Sequence, residues 1–253
     1  MNKFQLIKFW KKSIPLFNML NQNVLFHEVI KKTSANCTII PQKNVNRENR
    51  KDYLAPLLGD DAVDFLEFGV FKGHSIFGVA KLNTNPNSRF FGFDAFDEGY
   101  PEGFDQHLKG DYATSIPQTD DKRIKFVKGK FQDSLDDFLK SFEPKSRLVV
   151  HLDADLYSAT LYVLTKLDKL FDIDTILTFD EFGRLNTEFR AFLDYTLSYY
   201  RDYEIIQHTP GYNRVSIKLT KYKNQRNPHG IKVELDTGKI GRVQQLSWNK
   251  TIS

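Results

Sequence analysis

A second cysteine is missing from this chain. With Cys37 alone no internal disulfide forms, so stability rests on packing, and the usage fits a reducing compartment. Long uncharged apolar runs are also missing. The opening MNKFQLIKFWKKSIPLFNMLNQNVLF alternates lysine with apolar residues, never approaches the ~18 apolar residues of a membrane span, and is followed by no small-residue cleavage site. These absences predict a soluble, cytoplasmic protein without stable membrane insertion. No block of one charge is present either. The 36 Lys and Arg are interspersed among 32 Asp and Glu, for a net charge of +4, which argues against a nucleic-acid partner while leaving a negatively charged small ligand compatible. Internal repeats and low-complexity segments are absent.

What remains is a globular composition. The chain has 253 residues, 40% of them hydrophobic, with 22 Phe, enough for one large domain with an aromatic-rich core. From about residue 62 two periods alternate. Short apolar runs stand at AVDFLEFG, SRFFGFDAF, RIKFVKG, SRLVVHLDAD and DTILTFDEF, and helical faces lie between them, such as Leu135, Phe138, Leu139 and Phe142, or Leu161, Leu164, Leu167 and Phe171. This alternation builds an α/β fold with a mostly parallel sheet and helices on both faces. YEIIQHT and RVSIKL are separated only by PGYN, too short for a crossover, so the sheet ends in an antiparallel hairpin. Residues 1–50 read as a helical and irregular N-terminal extension, 51–220 as the core, and 221–253 as a polar tail with a small hairpin around Asp236 and Gly238. The N-terminal helix is expected to pack on the domain or on a second subunit, with Phe9, Trp10 and Phe17 as the contact of a homo-oligomer.

In an open parallel sheet, ligands bind beyond the carboxyl ends of the strands. There the stretch DFLEFGVFKGHS carries Glu67 at a strand end, then Gly69 and Gly73. Gly69 allows a positive φ and a ligand lying against backbone, and Gly73 lets the next helix start close to the sheet. Asp94 closes the following apolar run, where a carboxylate accepts the hydroxyl protons of a ribose. The glycine spacing lacks the G-x-G-x-x-G that brings backbone to a pyrophosphate, so the cofactor is expected to carry a nucleoside but no phosphate. Asp153, Asp180 and Glu181 close the next two runs on strand ends about 5 Å apart. Three converging acids repel unless neutralised, and a hard divalent cation such as Mg²⁺ is the expected solution. Helix capping accounts for one such acid but hardly for three.

Several motifs together resemble those of class I S-adenosylmethionine-dependent O-methyltransferases, and among them the macrocin O-methyltransferase-like sugar methyltransferases. The resemblance spans roughly residues 60–220 and rests on FLEFGVFKG, FGFDAF, GKFQDSL, and above all LDADLYSAT followed by TFDEF. It implies a Rossmann-like, seven-stranded methyltransferase fold that binds S-adenosylmethionine. Glu67, Gly69, Val70 and Gly73 would lie at the aminoacyl end, with His74 and Ser75 donating to its carboxylate. Asp94 and Ala95 would lie at the ribose and Phe131 at the adenine. Asp153, Asp180 and Glu181 would bind Mg²⁺, which would hold vicinal hydroxyls of a sugar or glycan acceptor. Asp153 and Asp155 are candidate catalytic residues, as is His208 on the hairpin. The family usually has paired aspartates where this chain has Asp180-Glu181. The loop over 97–115, with Tyr100, Phe104 and Tyr112, reads either as a lid over the acceptor or as a surface loop. A small phenolic or phosphorylated acceptor, and a non-catalytic protein that keeps the fold, are the alternatives.

Overall fold

A computed structural model describes residues 20–41, 50–99 and 110–220. Phe9, Trp10 and Phe17, the loop residues Tyr100 and Phe104, and the tail around Asp236 and Gly238 lie outside the described residues. Within them, helix α1 runs through 20–30. It is followed by β1 (Thr33–Ile39), α2 (Arg50–Leu58), β2 (Val63–Phe68), α3 (His74–Leu82), β3 (Arg89–Asp94), β4 (Ile124–Lys128) and α4 (Phe131–Leu139). The second half comprises β5 (Arg147–Leu152), α5 (Tyr157–Leu167), β6 (Ile176–Phe179), α6 (Glu188–Tyr199), β7 (Tyr203–His208) and β8 (Val215–Leu219).

One eight-stranded sheet has the order β1-β7-β8-β6-β5-β2-β3-β4. Every pairing that involves β8 is antiparallel and all others are parallel, as the PGYN connection predicts. The count corrects the expected seven. The additional strand is β1, inside the extension read as helical and irregular. TSANCTI has no alternation of buried and exposed residues, because β1 is an edge strand that pairs with β7 alone. Its signal lies in backbone bonds, such as Ile40 N–H to the His208 carbonyl at 2.9 Å, which a hydrophobic pattern does not encode.

β2 is buried at every position, as a central strand between two helical layers must be. Its period of two divides the core. Leu66 and Phe68 face a layer formed by α4, α5 and α6, including Leu135, Val163, Leu164, Phe189 and Phe192. Val63 and Phe65 face α2 and α3 through Tyr53, Leu54, Ile76 and Val79. Aromatic contacts fill the first layer: Phe68 stacks on Phe93 with centroids 4.5 Å apart, and Phe192 meets Phe179, Phe182 and Tyr203. After β2 the chain builds outward through β3 and β4, then returns to β5 on the other side of β2. The resulting switch point opens a crevice beyond the carboxyl ends of β2 and β5.

Phe192→Ala should empty the centre of the aromatic layer, where its ring meets Phe179, Phe182 and Tyr203. Urea unfolding is expected to show a loss of ~3–5 kcal/mol; a loss below about 1 kcal/mol would mean that the layer is not packed as described.

Candidate functional site

The crevice begins with a relay of backbone bonds. Gly69 N–H donates to the Phe93 carbonyl at 2.9 Å, Asp153 N–H to Phe68 at 2.9 Å, and Asp180 N–H to Leu152 at 3.0 Å. These bonds carry the ends of β3, β2, β5 and β6 past the last formal strand residue. Gly69 has φ +98, and a Cβ there would stand 2.0 Å from the Asp153 carbonyl oxygen. Glycine is therefore required by its close neighbour as well as by the turn, a reason beyond ligand access. Gly73, with φ 80, stands before the first turn of α3, and a Cβ there would meet the Phe77 ring at 2.7 Å.

Asp94 ties this loop to β3. Its Oδ2 accepts Val70 N–H at 2.7 Å and Phe71 N–H at 2.8 Å, and its Oδ1 accepts Phe96 N–H at 2.7 Å. A carboxylate offers about four acceptor sites, so capacity remains for a ribose hydroxyl after the loop is held.

A cavity of about 490 Å³ opens here, within the size range of small-molecule sites. At one end stand Gly69, Val70, His74, Ser75, Asp94, Ala95 and Phe131, joined by Phe71, Tyr112 and Lys130. At the other stand Asp153, Asp155, Asp180 and Glu181, together with Arg184 and Arg214. The cavity thus brings together most of the residues singled out in the sequence. Three fall elsewhere. Gly73 supports the loop from outside the lining. Glu67 is buried and sits opposite His151 in the β2–β5 register, with 3.8 Å between Oε1 and Nε2. His208 is not a lining residue: its ring stacks on Tyr212 at 4.0 Å, and Nδ1 lies 2.8 Å from the Thr209 carbonyl. A base at His208 is therefore not supported.

At the acidic end, Arg214 Nε donates to Asp180 Oδ1 at 2.6 Å, and Nη2 donates to Oδ2 at 3.2 Å. Arg184 Nε lies 2.8 Å from Glu181 Oε2. Burial, followed by the proximity of Asp155, pushes the Glu181 carboxyl up to about 7. Asp155 reaches this position with φ 57, a left-handed conformation rare outside glycine. Behind them Glu188, fully buried at the start of α6, accepts Glu181 N–H on Oε2 at 2.9 Å. Its Oε1 has no hydrogen-bond partner among the described residues. Burial, with nearby Asp180, Asp155 and Glu181, raises the Glu188 carboxyl well above the usual range.

The expected metal set does not fit this arrangement. Both Asp180 oxygens are engaged by a guanidinium, and among the described residues no three His, Cys, Asp or Glu side chains are grouped to hold a metal ion. The sequence reading also missed Arg184, Arg214 and Glu188. For Glu188 there was no usable signal, since an acid in a first helical turn is ordinary dipole chemistry. For Arg214 there was none either, because its approach to Asp180 depends on the long-range pairing of β6 with β8.

Known proteins bear on this geometry. Residues 66–182 match a family model described as "Methyltransferase domain", and residues 214–246 match one described as "Uncharacterized conserved protein". No curated protein matches the chain. Among solved structures, CalS11, described as a calicheamicin methyltransferase, is 20% identical with a TM-score of 0.52 over 67% of this chain and 77% of its own. The O-methyltransferase NovP is 17% identical with a TM-score of 0.52 over 68% and 80%. Likeness at this identity establishes the fold. Beside that fold, residues 66–182 carry the match to a methyltransferase domain.

The Asp94 geometry predicts that Asp94→Ala, which removes three backbone partners at once, weakens S-adenosylhomocysteine binding by about 10²-fold or more. Calorimetry reads this directly. Unchanged affinity would remove Asp94 from the cofactor site.

Proposed function

We propose that the protein transfers the S-adenosylmethionine methyl group to a hydroxyl of a sugar or sugar-bearing small molecule. The observation that carries this reading is that Asp94 and Phe131 share one cavity with Asp153, Asp155 and Glu181. A nucleoside-sized cofactor end thus opens onto a proton-accepting end. The LDADLY and TFDEF motifs favour a sugar hydroxyl over a phenol, and the name of CalS11 as a calicheamicin methyltransferase is compatible with it.

S-adenosylmethionine supplies an activated methyl group on a positively charged sulfur. The chain has to orient an acceptor hydroxyl toward that methyl and take its proton. As the oxygen–carbon bond forms, the carbon–sulfur bond breaks, its electron pair returns to sulfur, and the hydroxyl proton leaves to a carboxylate. Glu181 is suited to receive it, because a carboxyl with a pKa near 7 is matched to proton transfer near neutral pH. Asp153, on the adjacent strand end, lines the same cavity and in this reading holds the acceptor hydroxyl. Tyr112, packed edge to face on Phe71 with centroids 5.4 Å apart, is an apolar platform against which a sugar ring can rest. The expected Mg²⁺ enters no step here, because its donors do not fit it.

Incubation of the protein with S-adenosylmethionine and a panel of sugars, nucleotide sugars and catechols, followed by mass spectrometry, is expected to give a methylated sugar-bearing product. Methylation of catechols alone would overturn the sugar assignment, and S-adenosylhomocysteine binding without methylation of any acceptor would overturn the catalytic one.

Glu181 is faced by Asp155 from the β5–α5 loop, Asp180 and Arg184 from its own turn, Glu188 from α6 and, beyond Asp180, Arg214 at the start of β8. Protonation removes its capacity as a base, so kcat/KM should fall as pH drops through about 7. Glu181→Gln should lower the rate by about 10²-fold and flatten that limb. A variant that keeps the wild-type profile would assign the base elsewhere.

A further inference from the structure

The residue that meets Asp180 is determined by strand register. β6 and β8 run antiparallel with Phe179 opposite Val215, so the chain leaving β6 at Asp180 faces the chain entering β8 at Arg214. The arginine is anchored through its backbone. Its N–H donates to Thr209 Oγ1 at 3.0 Å, and its carbonyl accepts Thr209 N–H at 3.0 Å, which closes the turn over Pro210–Tyr212. From this base the guanidinium reaches Asp180 by two prongs, with the two side chains 11% and 5% exposed. A planar fork matched to a carboxylate, and nearly withdrawn from water, is a durable pairing that a surface ion pair is not.

Resting on the methyltransferase reading, we propose that Arg214 is the resident cation of the acidic cluster, occupying the place expected of a divalent metal, so that methyl transfer here needs no divalent cation. Arg214 is a positioning residue. It holds Asp180 in one orientation and neutralises it, while Arg184 does the same at the more open Glu181. Asp153 and Asp155 line the same cavity. A lysine would keep the charge but not the fork. A Mg²⁺ ion would have to displace the guanidinium and leave it buried beside a second cation.

The test uses chelator-treated full-length protein and Mn²⁺, whose free-ion electron paramagnetic resonance signal drops when the ion binds. The wild type, with and without S-adenosylhomocysteine, is expected to leave the signal undiminished at millimolar Mn²⁺. Its transfer rate on an acceptor from the panel above is expected to change less than about twofold with EDTA or Mg²⁺. Arg214→Gln is expected to begin binding Mn²⁺, because the acid cluster loses its cation, and Arg214→Lys to recover little of the rate. Stoichiometric Mn²⁺ binding by the wild type that Asp180→Asn abolishes would overturn the proposal. So would a rate that EDTA cuts by about tenfold or more and Mg²⁺ restores. Should Arg214→Gln fail to fold, the wild-type titration decides alone. If no acceptor is methylated, that titration still reads the cation independently of the methyltransferase reading.

Discussion

A Cβ on residue 69 would stand 2.0 Å from the carbonyl oxygen of Asp153, and the rest of the site depends on that contact. The first strand of the core and the one that returns beside it touch at their carboxyl ends, so the crevice between diverging connections opens directly above them. Each strand end is then bonded to its neighbour, with the N–H groups of Gly69, Asp153 and Asp180 donating to the carbonyls of Phe93, Phe68 and Leu152. Asp94 and Asp180 consequently stand on opposite sides of one cavity. The Asp94 end and the acidic end need no separate scaffold, because one ladder positions both.

Buried aspartate–arginine pairs are not in themselves a mark of function here. Asp64 is held by Arg89 at 2.6 and 2.9 Å and accepts two backbone N–H groups from Lys145 and Ser146. Asp168 binds Arg201 at 2.7 Å and Tyr195 at 2.8 Å. Both stabilise the fold by satisfying charges that would be costly alone. What separates Asp180–Arg214 from them is position: Asp64 stands near the amino end of β2, whereas Asp180 follows the carboxyl end of β6 and lines the cavity. The chemistry of the pair is common to all three, and the topology decides which one can meet a ligand.

That distinction also explains what was legible before the structure. Strands buried on both faces announce themselves as continuous apolar runs, and the acids closing them, Asp94, Asp153, Asp155, Asp180 and Glu181, line the crevice. β1 gave no such signal, since an edge strand needs only backbone partners on one side. Glu67 follows a different rule: it shares the parity of Val63 and Phe65, so alternation along β2 turns it toward the layer of α2 and α3 and away from the cavity lining. The count of acids suggested a metal because cations supplied by distant residues were not counted. Arg214 lies 34 residues from Asp180 in sequence, and only the pairing of β6 with β8, a long-range fact, makes them neighbours.

Strain is distributed in the same pattern. Of the non-glycine residues with positive φ, Phe71, Tyr112 and Asp155 line the cavity, while Phe96, Asp174, Tyr200 and Tyr212 do not. Each such conformation costs on the order of 1 kcal/mol or more and persists only where its surroundings enforce it. For Phe71 the enforcement is visible in the Asp94 carboxylate that accepts its N–H at 2.8 Å. For Asp155 the adjoining chain turns tightly, with Leu156 N–H to the Ala154 carbonyl at 2.6 Å, directly after a strand end locked by Asp153 N–H. Both strained residues therefore sit three residues beyond the ends of the strands that Gly69 allows to touch. The sheet's rigidity holds the two loops in conformations they would not keep alone. The side chains of the cavity are then aimed before a ligand arrives, so less of the binding energy is spent on ordering them.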